Sequence, residues 1–206
     1  MKIKVCGLKN VNSIKAVEKL NGVDFTGFIF YEKSPRYVGE LANIPVKPSS
    51  IQRVGVFVNS TVDEMLAFAK KFELDAIQLH GNESNAICKS LKSAGYQVIK
   101  VISMRDEADL ATTSHFDAQF VDYFLFDTKT VKHGGSGKKF NWELLSGYTG
   151  EVPFFLSGGI SQEDVKTIQK IKHKKLVGVD INSKFEVAPG EKNVELIEEF
   201  LGTLRC

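Results

Sequence analysis

Gln52-Arg-Val-Gly-Val-Phe57 is a short apolar run; after Val58-Asn-Ser60 comes the amphipathic stretch Thr61–Phe72, and then Asp75-Ala-Ile-Gln-Leu79 is apolar again. The first and last pieces are five or six residues long and continuously apolar rather than strictly alternating, the pattern of strands buried on both faces of a parallel sheet. The middle piece places Met65, Leu66, Phe68, Ala69 and Phe72 at helical spacing, with Ser60 or Thr61 as N-cap and Glu64 near the third helical position. Strand, helix, strand is therefore the unit, and parallel strands need such a crossover.

The same unit recurs along the chain. The apolar runs are Lys2–Cys6, Thr26–Phe30, Gln52–Phe57, Asp75–Leu79, Gln97–Val101, Asp122–Asp127, Pro153–Ser157 and Lys175–Asp180. Helices are expected over Val11–Leu20, Thr61–Phe72, Glu83–Leu91, Asp106–Phe116, Ser161–Ile171 and Asn193–Leu204, with a capping-box-like start at Ser161 and Asp164. Two connections are weaker. Glu40–Ser50 contains Pro45 and Pro48, which limit any helix there, and Asn141–Ser146 is barely a turn and a half. Eight strand–helix units in one domain, residues 1–206, predict an α/β single-domain (β/α)8 TIM barrel, compact against the usual ~250 residues. The competing doubly wound sheet would carry a GxGxxG first turn; this chain has Cys6-Gly-Leu-Lys-Asn10 instead.

Bulk properties narrow the function. With 27 basic and 25 acidic side chains the net charge is +2, which gives no reason to expect a nucleic-acid partner. No apolar run approaches the ~20 residues of a membrane span, and the amino terminus enters a strand directly, without a signal-peptide pattern. The three cysteines, Cys6, Cys88 and Cys206, are widely spaced. They form no CxxC and no zinc-spaced cluster, so neither a disulfide framework nor a metal site is expected. Reduced thiols fit a cytoplasmic location. Oligomeric state is left open between monomer and homodimer.

In this fold the carboxyl ends of the strands carry the chemistry. They supply Cys6, Arg36, His80, Asp127, Ser157 to Gly159, and Asp180 to Ser183. Cys6 is a small buried hydrophobe or a reactive thiol. Lys4 points to the same side of its strand, and a nearby ammonium would lower the thiol pKa from ~8.5. Asp127 ends an apolar strand and is either a loop cap for the Thr128 and Lys129 amides or a proton donor, a role that calls for partial burial. His133-Gly-Gly-Ser-Gly137, containing Gly135 and Ser136, is either a mobile surface loop or a lid; it matches neither a Walker A loop nor a GxSxG elbow. Gly158 and Gly159 follow strand seven, and Asp180, Asn182 and Ser183 follow strand eight. Barrels frequently bind phosphate at these two loops, and paired glycines admit the backbone contact. Arg36 suits a planar carboxylate or an aromatic face. His80 lines the pocket or bonds to backbone, the second being favoured.

These segments together resemble the phosphoribosylanthranilate isomerase family. The matching stretches are Lys4-Val-Cys-Gly-Leu8, Gly27-Phe-Ile-Phe-Tyr31 with Ser34-Pro-Arg-Tyr37, Val54-Gly-Val-Phe-Val-Asn59, Gln78-Leu-His-Gly81, Asp127-Thr-Lys129, Gly134-Gly-Ser-Gly-Lys138 with Phe140-Asn-Trp142, Leu156-Ser-Gly-Gly159 and Pro189-Gly190. Each is weak alone; in order they span the chain. The resemblance implies a tryptophan-pathway enzyme acting on a phosphorylated small molecule by an Amadori rearrangement, without metal or organic cofactor. It implies Cys6 as general base, Asp127 as general acid and Arg36 on the anthranilate side. Three departures stand out: Lys184 replaces a glycine that is common after strand eight, and Asn141 and Asn193 stand where aspartate is frequent.

Two alternatives remain at this level. The histidine-pathway barrel with similar chemistry uses aspartates in both proton-transfer roles, which Cys6 disfavours. A non-catalytic phosphate-binding barrel would keep Ser157–Gly159 without needing Cys6 and Asp127.

Overall fold

A computed structural model describes residues 1–39, 44–128 and 139–205. Eight parallel strands close on themselves in sequence order: β1 (Lys2–Val5), β2 (Phe25–Ile29), β3 (Gln52–Phe57), β4 (Ala76–Leu79), β5 (Gln97–Met104), β6 (Tyr123–Thr128), β7 (Phe154–Leu156) and β8 (Leu176–Ile181). The barrel is sealed where β1 pairs with β8, Lys2 opposite Gly178 and Lys4 opposite Asp180. The helices α1 (Val11–Val17), α2 (Val62–Phe72), α3 (Asn85–Ser93), α4 (Val165–Lys170) and α5 (Val194–Arg205) lie between and after the strands.

Both faces of the strands are buried, which explains their continuous apolar character. On β6, Leu125 joins an inner cluster with Phe25, Val54, Ala76, Ile99, Val101 and Phe155. Its neighbours Phe124 and Phe126 join the larger cluster under the helices. This is the period-two alternation of a strand expressed in two cores.

The barrel interior is also polarised along its axis. At the amino-terminal end Phe25, Tyr123 and Phe155 stack edge to face, with centroids 5.2 to 6.3 Å apart. Lys2 donates to the Tyr123 hydroxyl at 3.3 Å and lies over the Phe25 ring. One phase of the alternation on β1 and β6, continued toward the carboxyl end, turns polar: Lys2, Lys4, Cys6 on the first, Tyr123, Leu125, Asp127 on the second.

The Thr61 cap appears as expected. Thr61 accepts from the Glu64 amide and Glu64 returns the bond to the Thr61 amide at 2.8 Å. The Ser161–Asp164 box also forms, opening a 3-10 turn (Gln162–Asp164) that runs into α4.

One expected element differs, and the weak connection at Asn141–Ser146 is as short as expected. Asp106–Phe116, read as an amphipathic helix, is a 3-10 helix over Glu107–His115. Its Thr113 and Ser114 hydroxyls donate back to the Leu110 and Ala111 carbonyls, each at 2.7 Å, which favours the tighter three-residue turn over an α-helix. Asn141–Ser146 is a 3-10 turn over Trp142–Gly147. A further hairpin, β9 (Glu186–Ala188) and β10 (Glu191–Lys192), folds over the mouth-side loop after β8 around Pro189-Gly190.

Candidate active site

Cys6 lies one residue past β1. Its amide donates to Ile181 O at 2.9 Å, and the Gly7 and Leu8 amides both reach Gly27 O. These bonds carry β1 past its last ladder residue and turn the thiol inward over Gly27. A Cβ on Gly27 would stand 2.8 Å from Cys6 Sγ and 3.1 Å from Lys4 Nζ, so the glycine leaves the space that thiol and ammonium occupy.

Lys4 is fully buried and donates to Asp180 Oδ1 at 2.8 Å. It also interacts directly with the Cys6 side chain. The expected Lys4–Cys6 pairing is therefore present, but the expected fall in thiol pKa is not. Burial pushes the Cys6 thiol up, and the attraction of Lys4, with a smaller help from Lys192, does not cancel it. Burial works against the Lys4 charge too, yet Asp180 and Cys6 together hold its pKa above the ordinary value. Asp180 is raised by burial, against the pull of Lys4, with Asp127 adding repulsion. The two directions are compatible, because one cation answers to two acids while Asp180 faces a second carboxylate.

Asp127 divides its two oxygens. Oδ1 accepts the Thr128 amide at 2.8 Å, and Oδ2 lies 3.4 Å from His80 Nε2. It is thus a loop cap at one oxygen and presents the other to the site. His80 faces this carboxylate rather than bonding backbone through its ring. Its Nδ1 lies 3.3 Å from Gln78 Nε2.

The loop after β7 turns through two glycines in left-handed backbone. Gly158 and Gly159 adopt φ of 90° and 68°. A Cβ on Gly158 would run into the Thr128 side chain and stand 3.2 Å from Asp127 Oδ1, so the glycine packs directly on the carboxylate. Ser157 donates to Asp180 Oδ2 at 3.4 Å. Asn182 is fixed by Lys192, whose Nζ donates to its Oδ1 at 2.8 Å, and Ser183 opens a 3-10 turn, Ser183–Phe185. Lys184 points to solvent.

Arg36 is brought in by a bridge between Ile29 and Tyr37, and Ser34 Oγ accepts its amide at 3.2 Å. Its guanidinium is paired with Glu186, Nη2 to Oε2 at 2.6 Å. The roles of Glu186 and Lys192 were not legible as chemistry in the sequence; the Pro189-Gly190 turn between short flanking segments was the available signal for the hairpin that carries them. Gln78 was named only as a neighbour of His80. Gly135 and Ser136 lie outside the described residues, as does Cys206. Cys88 is on the buried face of α3, with burial pushing its thiol up to about 11, an unreactive state at neutral pH.

Among the described residues no three His, Cys, Asp or Glu side chains are grouped as a metal site, and no helix is long and apolar enough to cross a membrane.

Comparison with known proteins bears on this mouth. A model of the N-(5'phosphoribosyl)anthranilate (PRA) isomerase family matches residues 3–203. The N-(5'-phosphoribosyl)anthranilate isomerase of Parabacteroides distasonis is 42% identical over 98% of this chain and 92% of its own. The crystal structure of phosphoribosyl anthranilate isomerase from Thermotoga maritima superposes with a TM-score of 0.82 at 32% identity, covering 100% of this chain and 98% of the other. A structure of the isomerase in complex with reduced 1-(o-carboxyphenylamino)-1-deoxyribulose 5-phosphate gives 0.79 at 29% identity, with 100% and 98% covered. With an isomerase match along nearly its whole length and the same barrel, the chain belongs to the N-(5'-phosphoribosyl)anthranilate isomerase family.

Proposed function

We propose that this barrel, residues 1–206 acting as one unit, converts N-(5'-phosphoribosyl)anthranilate to 1-(2-carboxyphenylamino)-1-deoxyribulose 5-phosphate, a step of tryptophan biosynthesis, with Asp127 as general acid and Cys6 as general base. The observation that carries the reading is the charge chain at the barrel mouth: Cys6 to Lys4, Lys4 to Asp180, and Asp180 facing Asp127 and His80.

Asp127 Oδ2 protonates the ribose ring oxygen, the C1'–O bond breaks, and the nitrogen lone pair forms an iminium. That cation acidifies the C2' proton, which the Cys6 sulfur removes. The electron pair left at C2' moves into the C1'–C2' bond to give an enamine that tautomerises to the ketone. A thiol raised by burial is a stronger base once ionised, and Lys4 stabilises the thiolate beside it. General acid and base steps of this kind contribute ~10²–10⁴-fold each.

The phosphate is placed against the Gly158 and Gly159 backbone, with Asn182 and Ser183 from the next loop and Gly135 and Ser136 from the Gly-rich segment. His80 and Asp180 line the ribose side, and the Arg36 guanidinium meets the anthranilate carboxylate. The soluble cell interior is the proposed location.

The test is anthranilate fluorescence during turnover of freshly made phosphoribosylanthranilate, comparing wild type with Asp127→Asn and Cys6→Ser. Signal loss with wild type alone supports both assignments. If all three turn over alike while the reduced product analogue binds, the acid and base are misplaced. No turnover by wild type would leave a phosphate-binding barrel.

A further inference from the structure

Glu186 is the most heavily bonded carboxylate at the mouth. Its oxygens accept Arg36 Nε at 2.9 and 3.0 Å, Arg36 Nη2 at 2.6 Å, the Gly190 amide at 3.0 Å and Lys192 Nζ at 2.7 Å. The side chains of Glu186 and Lys192 are 4% and 0% exposed, so these charges sit in a low-dielectric place where geometry counts for most. The β9–β10 hairpin supplies Glu186 and its two other partners: Glu186 opens it, Gly190 turns it at φ 88°, and Lys192 ends it.

The pattern on Arg36 is one-sided. Nε and Nη2 form one edge of the guanidinium, and Glu186 occupies it. Nη1 donates to nothing among the described residues, so among those residues the other edge, Nη1 with the second Nη2 hydrogen, is unspent. The arginine stem passes against Gly7, whose absent Cβ would fall 2.7 Å from Arg36 Cδ and 2.6 Å from Asn182 Oδ1. The arginine stem therefore lies beside the residue that follows Cys6.

We infer that Glu186 is a positioning residue for the reaction, fixing the Arg36 guanidinium so that its free edge presents two parallel donors to the substrate's carboxylate, while Lys192 keeps the cluster net positive. This rests on the proposed substrate. A free arginine side chain loses rotamer entropy when it clamps a ligand; one already held on its side edge has little left to lose. Glu186 alone would cancel the arginine's charge. Burial lowers the Lys192 pKa while Glu186 opposes the fall; with Lys192 protonated and bonded to the same carboxylate, two cations and one anion leave one positive charge for an incoming anion. Burial disfavours the Glu186 charge, but Arg36, Lys192 and the Gly190 amide hold its carboxyl below the usual range, so the anchor stays ionised through neutral pH. Lys192 also fixes Asn182, joining the carboxylate end of the pocket to the loop after β8.

The test uses two substrates that differ only in the carboxylate, N-(5'-phosphoribosyl)anthranilate and N-(5'-phosphoribosyl)aniline, with wild type, Arg36→Met and Glu186→Gln. The expected result is a KM for the anthranilate substrate raised about tenfold in Glu186→Gln, with kcat changed less than about threefold. The KM for the aniline substrate stays at the wild-type value. Equal losses on both substrates would reduce Glu186 to a purely structural residue and overturn the inference. A fall in KM would overturn it in the other direction, with Glu186 competing for the arginine. If wild type and Arg36→Met both treat the two substrates alike, carboxylate recognition by Arg36 is itself wrong, and the inference goes with it. Should Glu186→Gln not fold, Glu186→Asp, which keeps the charge but withdraws it by one methylene, must give the same carboxylate-dependent rise; a rise shared by both substrates would overturn the inference.

Discussion

Lys4 and Asp180 face each other across the seam that closes the barrel, paired in register between β1 and β8 and bonded Nζ to Oδ1 at 2.8 Å. The same contact closes the fold and supplies the cation beside the proposed base. Removing one partner of a buried pair strands the other, at a cost of ~3–5 kcal/mol. Lys4→Met should therefore unfold earlier in denaturant by that amount, while Asp180 keeps only Ser157 as partner. Because the Lys4 pKa is raised in the folded protein, its contribution is fully present below the unfolded lysine value of ~10.4 and is lost as pH rises through the higher folded value. The gap between wild type and variant should stay constant from about pH 6 to about pH 9 and narrow only beyond. A destabilisation under ~1 kcal/mol at neutral pH would show that the seam does not depend on the pair.

Burial raises the Cys6 thiol, and Lys4 opposes that rise. If the thiolate is the base, kcat/KM climbs with pH through a range above that of a free thiol, ~8.5. Lys4→Met should displace that limb further to alkaline pH, since it deletes the main attraction that favours the thiolate. Thiol titration by absorbance near 240 nm (about the thiolate band) and the pH–rate profile should move together. A rate limb that stays put while the thiol titration shifts would separate Cys6 from the rate-limiting proton transfer.

Gly158 has φ of 90°, and an added Cβ would collide with the Thr128 side chain that follows Asp127. Gly158→Ala should cost ~1–3 kcal/mol of backbone strain. It should also raise KM and lower kcat, since the added Cβ would disturb the proposed phosphate loop and stand 3.2 Å from the proposed acid, Asp127 Oδ1. Gly95, with φ of 92° but nothing within 4 Å of its would-be Cβ, is the control: Gly95→Ala should lower stability through the same conformational term and leave kinetics unchanged. Equal kinetics in both variants would remove the crowding argument.

The barrel was readable because parallel strands buried on both faces leave an unmistakable signal, eight apolar runs with helical stretches between. The ends of the strands named Cys6, His80, Asp127 and Asp180 for the same reason. What the chain order does not carry is the partner across the barrel. Lys4 meets Asp180 over a separation of 176 residues, and Arg36 meets Glu186 over 150; no periodicity encodes either. The sign of the Cys6 shift also escaped, since a neighbouring lysine is visible in sequence but the depth of burial is not. The 3-10 segment at Glu107–His115 was read as α-helix because hydroxyl back-bonding is settled by backbone geometry, which a list of Thr and Ser leaves open.

Arg53 and Glu18 offer a pair remote from the mouth residues. Arg53 is on β3 with 0% exposure and donates through Nε and Nη2 to both Glu18 oxygens, at 2.8 and 2.9 Å, and through Nη2 to Pro45 O. Glu18 follows α1, also accepts from Thr26 at 3.2 Å, and so staples the first helix to the second and third strands. Arg53 Nη1 is already without a hydrogen-bond partner, with Glu73 at 3.8 Å. Glu18→Ala would leave the buried guanidinium with one carbonyl and the exposed Glu73 carboxylate at 3.8 Å. A loss of ~3–5 kcal/mol follows, or a fall in Tm of roughly 10 °C for a chain of this size. The isomerase kcat and KM at 20 °C (about where a weakened fold still persists) should match wild type, because the pair touches none of the mouth residues. Arg53→Met with Glu18→Leu should recover most of the loss, since an apolar pair of similar volume removes both buried charges at once. Failure of the double variant to recover stability would mean that the charge-assisted bonds themselves, rather than relief from an unpaired charge, hold α1 against the barrel.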